Sequence, residues 1–264
     1  MTSHAEDARL LEGAAREAGA LALRMREAGL KVRNKAGGSP VTDADLAVDA
    51  LLAERLRGAR LDYGWLSEET ADDRARLDTR RQFIVDPIDG TVAFMKGMPW
   101  FTVALAVIEG GAPVAAAIYA PALDEMFLAS AGGGTTVNGA PAAASAACDV
   151  GGCNMLGDLR AFQHPSWQVP WPDMNVQKRN SIAYRMALVA AGEFDAAVAL
   201  SRKWDWDVAA GALIATEAGA MVSDHEGRPY LFNKPRPYQA SLVCAAPQLH
   251  PVILERTRDA DVPA

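Results

Sequence analysis

The sequence predicts a layered α+β fold in which many of the strands pair antiparallel. Segments with apolar residues at helical spacing occur near the N-terminus and again in the C-terminal third. Between them lie Val- and Ile-rich segments separated by Gly-containing turns, a pattern typical of β-hairpins. Half of the 264 residues are hydrophobic, which suffices for one large domain or for two small ones that share a core.

The N-terminal part is predicted to begin with two helices. Ser3 to Glu6 resembles a capping box, and the Ala-, Leu-, Glu- and Arg-rich stretch that follows predicts a helix to about Ala28. A Gly-containing loop over residues 35–40 separates this helix from the next. Thr42 is then placed to cap a second helix with regularly spaced apolar residues.

The centre of the chain is predicted to consist of strands. Gly110-Gly111 separates two Val- and Ile-rich segments and indicates a hairpin. After it, the stretch 140–180 is poorly patterned and rich in Pro, Gly and Ala. We therefore expect an N-terminal part over 1–140 and a C-terminal part over 141–264. The predicted strands of the first part are 63–66, 83–85, 101–109, 114–119 and 125–129.

The C-terminal part is predicted to mix helices with strands. Its clearest stop signal is Gly219, at the end of a segment with helical spacing. The predicted elements are a helix over 181–192, a strand over 194–200, a helix over 208–218, strands over 230–232 and 241–244, and a closing helix over 251–258.

Composition excludes several classes of function. The formal net charge is -7 and no basic stripe stands out, which argues against a nucleic-acid polymer as partner. The N-terminal segment is acidic and amphipathic, so we expect no signal peptide, and Gly, Pro or charged residues interrupt every apolar run before it could cross a membrane. Three scattered cysteines predict idle or buried thiols in a reducing compartment, so we expect a cytoplasmic protein without membrane contact.

Four pairs of acidic residues lie at the boundaries of predicted elements. Helix capping alone explains Asp43 and Asp45, because Asp is favoured in the first turn of a helix. Asp86 and Asp89 are harder to explain in this way, since Pro87 makes their turn rigid and Gly90 permits close backbone approach. The four pairs are Asp43/Asp45, Glu68/Glu69, Asp86/Asp89 and Asp205/Asp207.

Carboxylates held close together at a strand end indicate a cation site, because their mutual repulsion is otherwise costly. Magnesium prefers oxygen ligands, and two ions about 3.5–4 Å apart can clamp a phosphate. Asp86 is the candidate for bridging two ions, with Asp89 reaching one and Glu68 the other. Gly90 and Thr91 are predicted to open a helix, where backbone N–H groups can bind a phosphate.

Four motifs resemble those of the inositol monophosphatase family and occur in the family's order, and the resemblance covers nearly the whole chain. The motifs are Ser39-Pro40-Val41-Thr42-Asp43-Ala44-Asp45, similar to SPVTxAD; Ser67-Glu68-Glu69, similar to (G/S)EE; Asp86-Pro87-Ile88-Asp89-Gly90-Thr91 with Phe94, similar to DPxDGTxxF; and Trp206-Asp207-Val208-Ala209-Ala210-Gly211 with Glu217-Ala218-Gly219. The resemblance implies a layered α-β-α-β-α sandwich with the metal site between its two parts.

The resemblance also implies a role for each matching residue. Lys35 matches a lysine near the site, and Glu68 belongs to the catalytic set as well as to the metal ligands. Asp207 is favoured over Asp205 because the small residues that let the helix pack closely follow Asp207. The implied roles are Glu68, Asp86 and the Ile88 carbonyl for a first Mg²⁺; Asp86, Asp89 and Asp207 for a second; Asp45 and Thr91 for orienting the attacking water; and Gly90, Thr91, Asp89 and Asp207 on the phosphate and substrate side.

The chain departs from the family on the substrate side. Inositol phosphatases carry a substrate-binding glutamate seven residues before the last aspartate ligand, and here that position is Leu200. Arg202 and Lys203 follow; a solvated turn explains them, whereas cations pointing into the cleft would favour a second anionic group on the substrate. His164 is a candidate catalytic base, but a two-metal mechanism does not need one. Packing explains the tryptophans at 167, 171, 204 and 206.

The predicted function is that of a Mg²⁺-dependent phosphomonoesterase acting on a small phosphorylated metabolite similar to inositol-1-phosphate. An alternative is a 3′(2′),5′-bisphosphate nucleotidase acting on phosphoadenosine phosphates, and a third is a catalytically silent metal- or phosphate-binding protein. The resemblance further implies inhibition by lithium and assembly as a homodimer.

Overall fold

The computed structural model describes residues 3–35, 37–165 and 167–260. Its helices are α1 (His4–Ala28), α2 (Asp43–Ala59), α3 (Thr91–Met95), α4 (Leu159–Phe162), α5 (Ile182–Ala190), α6 (Asp205–Glu217) and α7 (Leu249–Thr257). Its strands are β1 (Val32–Asn34), β2 (Pro40–Thr42), β3 (Gly64–Ser67), β4 (Arg81–Asp89), β5 (Thr102–Glu109), β6 (Ala112–Ala120), β7 (Glu125–Ser130), β8 (Thr135–Val137), β9 (Ala140–Ala142), β10 (Asn154–Leu156), β11 (Asn175–Gln177), β12 (Ala196–Ala199), β13 (Lys203–Trp204), β14 (Met221–Ser223), β15 (Tyr238–Gln239) and β16 (Leu242–Ala245).

Two mixed sheets carry most of these strands. The larger sheet has the order β3-β4-β5-β6-β7-β8-β9, with only β3 and β4 parallel to each other. The smaller sheet has the order β11-β10-β12-β16-β14, in which β10 runs parallel to both of its neighbours. The pairs β1–β2 and β13–β15 form two short antiparallel ribbons.

The helices and sheets stack in the order α-β-α-β-α. Helices α1 and α2 pack on one face of the larger sheet, and α5 and α6 lie between the two sheets. Helix α7 packs against β16 of the smaller sheet. The predicted layered sandwich is therefore confirmed.

Strand β4 shows why the larger sheet is covered on both faces. Phe83 and Val85 belong to the hydrophobic cluster under α1 and α2, whereas Ile84 belongs to the cluster under α5 and α6. Alternation with period two sends successive side chains to opposite faces. All three are apolar, so β4 needs a helical layer on each side.

Helices α5 and α6 approach each other closely because α6 carries small residues where they meet. A Cβ atom added at Gly211 would lie 2.7 Å from the Cβ of Met186 on α5. Ala209 and Ala210, just before Gly211, are buried. The small residues after Asp207 thus allow the tight helix pair that the sequence predicted.

The helices and central strands form largely where predicted, and the differences have local causes. Residues 230–232 were predicted as a strand, which is wrong: there Phe232 donates from its N–H to the Gly111 carbonyl at 2.9 Å, without a ladder. Strand β4 is longer than predicted and continues through both acids to Asp89. Within the described residues, no helix is long and apolar enough to cross a bilayer.

Candidate active site

Asp86 and Asp89 point to the same side of the larger sheet because β4 bulges between them. Asp86 pairs with Ala104 and Asp89 with Thr102, so three steps on β4 match two steps on β5. Residues three apart on a regular strand face opposite sides, and one extra residue in a bulge corrects this. Both acids therefore face the layer of α5 and α6, where each is more than nine-tenths buried.

Gly90 ends β4 with a turn that only glycine adopts readily. Its φ of 92° lies in the left-handed region, and α3 begins at the next residue as predicted. A Cβ atom at this position would stand 3.1 Å from the backbone N of Ser181 and 3.2 Å from its Cβ. The turn thus brings the start of α3 directly against the start of α5.

The start of α5 fixes the Asp89 carboxylate. Ser181 caps this helix, and its hydroxyl donates to Asp89 Oδ2 at 2.6 Å. The backbone N–H of Ala183 donates to the same oxygen at 2.7 Å. Asp89 belongs to the larger sheet, so a helix that lies between the two sheets positions an acid of the larger one.

Asp45 both caps α2 and contacts Thr91. Its Oδ2 accepts from the Thr42 N–H at 2.8 Å and from the Thr42 hydroxyl at 2.5 Å, which completes a capping box. Its Oδ1 lies 3.1 Å from the Thr91 hydroxyl, which can also donate to the Ile88 carbonyl at 3.1 Å. The capping explanation and the implied catalytic role therefore fall on one buried carboxylate.

Lys35 holds the two glutamates that follow β3. Its Nζ donates to Glu68 Oε1 and to Glu69 Oε1, both at 2.7 Å. Glu68 itself is anchored through its N–H, which donates to the Val85 carbonyl of β4 at 3.2 Å. The end of β3 therefore lies beside the end of β4, as parallel neighbours require.

Asp207 joins the acids from the first turn of α6. Its Oδ2 accepts from the Trp204 N–H at 2.9 Å. Burial, followed by the charges of Asp89 and Glu68, raises the pKa of Asp207 to about 8. The contribution of those charges indicates that Asp207 lies in the same acidic cluster.

Asp205 lies elsewhere, as its partners indicate. Its Oδ1 accepts from Gln239 Nε2 at 2.8 Å, while its buried Oδ2 has no partner among the described residues. Burial raises its pKa to about 6, and the charges that act on it are those of Lys234 and Arg76, not of the acidic cluster. Of the two candidates, the structure thus brings Asp207 to the other acids.

The acidic cluster consists of Glu68, Asp86, Asp89 and Asp207, with Asp45 beside it. Burial and the neighbouring negative charges raise the pKa of Asp86, Asp89 and Asp207. Burial and then the charge of Glu68 raise the pKa of Asp86 well above its usual range. Burial raises the pKa of Asp89 to about 6, although hydrogen bonds from Ser181 and Ala183 act in the opposite direction. Burial is the first cause of each shift, and the cost of placing several anions together adds to it.

This donor set fits hard divalent cations. Each of the four acids in the cluster keeps one carboxylate oxygen that accepts no hydrogen bond from the described part of the chain, while the other oxygen is engaged. Oxygen ligands of this kind are those that Mg²⁺ and similar ions take. The side chains would still need to reorient, since no three His, Cys, Asp or Glu groups among the described residues already form a metal cluster.

Lys203 and Arg202 have different surroundings. Lys203 is more than nine-tenths buried, so the solvated turn does not explain it, and its Nζ donates to the Ser201 hydroxyl at 2.7 Å. Arg202 is exposed and lies over the Tyr238 ring, 4.4 Å from its centroid. Only Lys203 lines a cavity beside the acidic cluster, together with Leu200.

Two functional candidates were missed from the sequence. Ser181 holds Asp89, and the signal for it was a Ser at the start of a predicted helix. Arg185 is buried near Asp89, and the signal was an arginine within the otherwise apolar run of α5.

The tryptophans have mixed roles. Trp206 packs against the core, whereas Trp204 is 42% exposed and stacks on it with ring centroids 5.0 Å apart. His164 lies with Trp167 in the wall of a separate cavity under α7.

The fold and the motifs agree with comparisons to known proteins. The sequence model of the inositol monophosphatase family matches residues 4–261. The inositol-1-monophosphatase of Mesorhizobium japonicum is 35% identical over 209 residues, which is 75% of this chain and 77% of that protein. The Nus factor SuhB of Escherichia coli is 30% identical over 225 residues, or 81% of this chain and 83% of that protein.

Solved structures show the same architecture. The extragenic suppressor protein SuhB of Bartonella henselae matches with a TM-score of 0.82 and 27% identity, covering 96% of this chain and 98% of that one. The IMPase of Thermotoga maritima matches with a TM-score of 0.77 and 26% identity, covering 92% and 93%. On this evidence the chain belongs to the inositol monophosphatase family of phosphoric monoester hydrolases, which act on small phosphorylated substrates and generally depend on a metal.

Proposed function

We propose that this phosphatase uses Mg²⁺ and that the acidic cluster holds the ions. The observation that supports this most directly is the convergence of four carboxylates, from β3, β4 and α6, each with an unused oxygen. Glu68, Asp86 and the Ile88 carbonyl would hold one ion, and Asp86, Asp89 and Asp207 a second. When bound, the ions would supply charge for the phosphate and acidify a water molecule.

Thr91 and Asp45 would orient the attacking water. A hydroxyl that donates its proton to a carboxylate keeps lone pairs with which to accept a hydrogen bond from water. The Thr91 hydroxyl lies within donating distance of Asp45, and the Thr42 cap keeps that carboxylate in place. Positioning and charge stabilisation account for most of the catalysis in phosphoryl transfer, so this fixed pair has a direct role.

The start of α3 would bind the phosphate. The N–H groups of a first helical turn have no partners within the helix, and they attract anions. Gly90 and Thr91 provide such groups beside Asp89. Lys35 would contribute positive charge near Glu68, with which it is already paired.

Two classes of substrate are candidates. The names of the inositol-1-monophosphatase relatives support inositol-1-phosphate or a similar polyol phosphate. A 3′(2′),5′-bisphosphate of a nucleoside is favoured instead by Leu200 at the position of the missing glutamate and by the buried Lys203 beside it. We keep inositol-1-phosphate as the reference substrate and the nucleoside bisphosphate as the alternative.

Other properties belong to the same proposal. They are inhibition by lithium, assembly as a homodimer, location in the cytoplasm, and division into parts 1–140 and 141–264. The last is supported by the sheets, since the strands of the larger sheet lie between Gly64 and Ala142 and those of the smaller between Asn154 and Ala245.

The test is a phosphate-release screen over inositol phosphates, sugar phosphates and nucleoside bisphosphates, with Mg²⁺, with chelator, and with added Li⁺. We expect turnover only with Mg²⁺, inhibition by Li⁺, and loss of turnover in Asp86→Asn with a folded chain by circular dichroism. Wild-type-like hydrolysis by Asp86→Asn would refute the ligand assignment. Metal binding without turnover of any substrate would favour a silent binding protein.

A further inference from the structure

A cavity of about 280 Å³ lies beside the acidic cluster, lined in part by α5, whose start holds Asp89, and by β13, which leads into α6. Ile182 and Arg185 follow Ser181 on α5, and Lys203 lies on β13, directly before the first turn of α6 that carries Asp207. Phe162, Leu200 and Ile182 form apolar parts of the wall. A group attached to a phosphate at the acidic cluster would therefore have this cavity next to it.

Two buried cations face the cavity without an acid of their own. Arg185 and Lys203 are each 8% exposed. In the described part of the chain neither forms a salt bridge, and the acceptors that they do have are neutral. The cost of burying an unpaired cation is high unless something compensates it, so this arrangement calls for an anion.

The guanidinium of Arg185 keeps a donor for such an anion. Its Nε donates to the Arg179 carbonyl at 2.7 Å, and its Nη2 donates to the same oxygen. Its Nη1 donates to no acceptor among the described residues. A guanidinium anchored by one edge is pre-oriented, and the remaining N–H groups are well suited to a phosphate.

The other charges around the cavity cancel. Lys178 and Asp158 pair with each other at 3.2 Å, and the side chains of both are more than half exposed. Leu200 contributes an apolar side chain to the wall, so no acid at this position repels an anion. Arg185 and Lys203 thus leave the lining with a net charge of about two positive units.

We propose that this cavity binds a second anionic group of the substrate, with Arg185 and Lys203 as its donors. This inference rests on the proposed phosphomonoesterase function and deepens it, because it selects substrates with a second anionic group over the reference substrate inositol-1-phosphate. The substrate would be a phosphate monoester whose alcohol carries a further phosphate, either a nucleoside bisphosphate or a bisphosphorylated polyol. Arg185 and Lys203 would then determine specificity without taking part in the attack on phosphorus.

A different explanation is that the two cations only balance the charge of Asp89 and Asp207. Their charges do act on these acids, so the test must separate the two roles. Charge balance affects every substrate alike, because each one uses the same acids. Recognition of a second anion affects only the substrates that carry it.

The experiment compares two matched pairs of substrates in the presence of Mg²⁺. One pair is adenosine 3′-phosphate with adenosine 3′,5′-bisphosphate, and the other is inositol 1-phosphate with inositol 1,4-bisphosphate. We expect a higher kcat/KM for the bisphosphate in at least one pair, and that pair identifies the source of the anion. Arg185→Gln and Lys203→Gln should each lower the bisphosphate-to-monophosphate ratio by about 10- to 100-fold, the range for a lost charged hydrogen bond.

Arg202→Gln is the matched control, because it removes a neighbouring cation that does not line the cavity. Its ratio should equal that of the wild type. A wild-type ratio near one in both pairs would overturn the proposal. An equal loss for monophosphates and bisphosphates in Arg185→Gln would assign that residue to charge balance.

Binding measurements keep the inference testable if no substrate is turned over. Calorimetric titration with the two adenosine phosphates should then give tighter binding of the bisphosphate, weakened at least 10-fold by Arg185→Gln. Equal affinities for both nucleotides would reject the second-anion site. Absence of hydrolysis combined with selective bisphosphate binding would reject only the proposed phosphatase function.

Discussion

Replacing Asp207 with asparagine should stabilise the metal-free protein while it removes turnover. The carboxylate lies in a cluster of acids, and its pKa is raised to about 8 by burial and by Asp89 and Glu68. Keeping such a group charged costs folding free energy whenever no cation balances it. Asn preserves the shape and an oxygen that can accept from the Trp204 N–H.

The direction and the size of this change in stability follow from the linkage between protonation and folding. An unfolded Asp titrates near 3.9, so between pH 4 and 8 the unfolded chain has lost a proton that the folded chain retains. Stability therefore falls as the pH rises through this window. At pH 7 the cost is at most about 4 kcal/mol, taken as about three pH units at about 1.4 kcal/mol each. Because the titration is shared among several acids, we expect Asp207→Asn to raise the free energy of unfolding by about 1–3 kcal/mol.

The assay is urea unfolding with chelator present at pH 6 and at pH 8, followed by phosphate release with Mg²⁺. Asp207→Asn should gain more stability at pH 8 than at pH 6 and should lose at least 100-fold in kcat. Asp205→Asn is the control for activity, since Asp205 accepts from Gln239 and lies outside the cluster; its kcat should stay within about threefold. An Asp207→Asn variant that is less stable than the wild type at pH 8, or as active, would refute the reasoning.

Two further predictions concern Gly90, which lies beside the site, and His250, which lies on α7. Gly90→Ala should lower the free energy of unfolding by about 1–3 kcal/mol and kcat by at least 10-fold. Alanine is strained in the left-handed conformation, and its Cβ would press on Ser181, which holds Asp89. Gly97 also has a positive φ, of 70°, but a Cβ added there would meet no atom within 4 Å. Gly97→Ala should therefore show the backbone strain alone. Equal kcat values for the two variants would contradict the argument that contact with Ser181 lowers kcat. Burial lowers the pKa of His250, whose Nε2 lies 2.9 Å from the Ser223 hydroxyl, so stability should decline as the pH falls below about 6.5, where the unfolded chain takes up the proton. In His250→Gln that decline should be shallower in unfolding experiments between pH 7 and 5, and an unchanged slope would contradict the assignment.

The sequence predicted the parts of the fold that have strong local signals. Capping signals at Ser3 and Thr42 located the starts of α1 and α2, and two Val- and Ile-rich segments separated by Gly110-Gly111 located the hairpin of β5 and β6. It did not predict the ribbons β1–β2 and β13–β15, because two or three residues carry no periodicity. These ribbons form only where tertiary contacts bring the segments together.

The acids were predicted by their spacing, but their arrangement was not. No sequence signal near Asp86 and Asp89 indicates that a bulge turns both side chains to one side of the sheet. The bulge depends on the register with β5, which is a separate segment. Arg185 was overlooked because an arginine within an apolar helix can also extend to solvent. Its burial is a property of the layer between the sheets, which no single segment encodes.

With Asp45 in the proposed role of orienting the attacking water, the capping box at the start of α2 would make catalysis dependent on one turn of helix. Asp45 contacts Thr91 with one oxygen and secures its own helix with the other. Opening of that turn would therefore misplace the carboxylate even if every metal ligand stayed in position. The rate of hydrolysis would then report the fraction of molecules in which the start of α2 is folded, and substitutions that fray this helix far from the phosphate would register as losses in kcat.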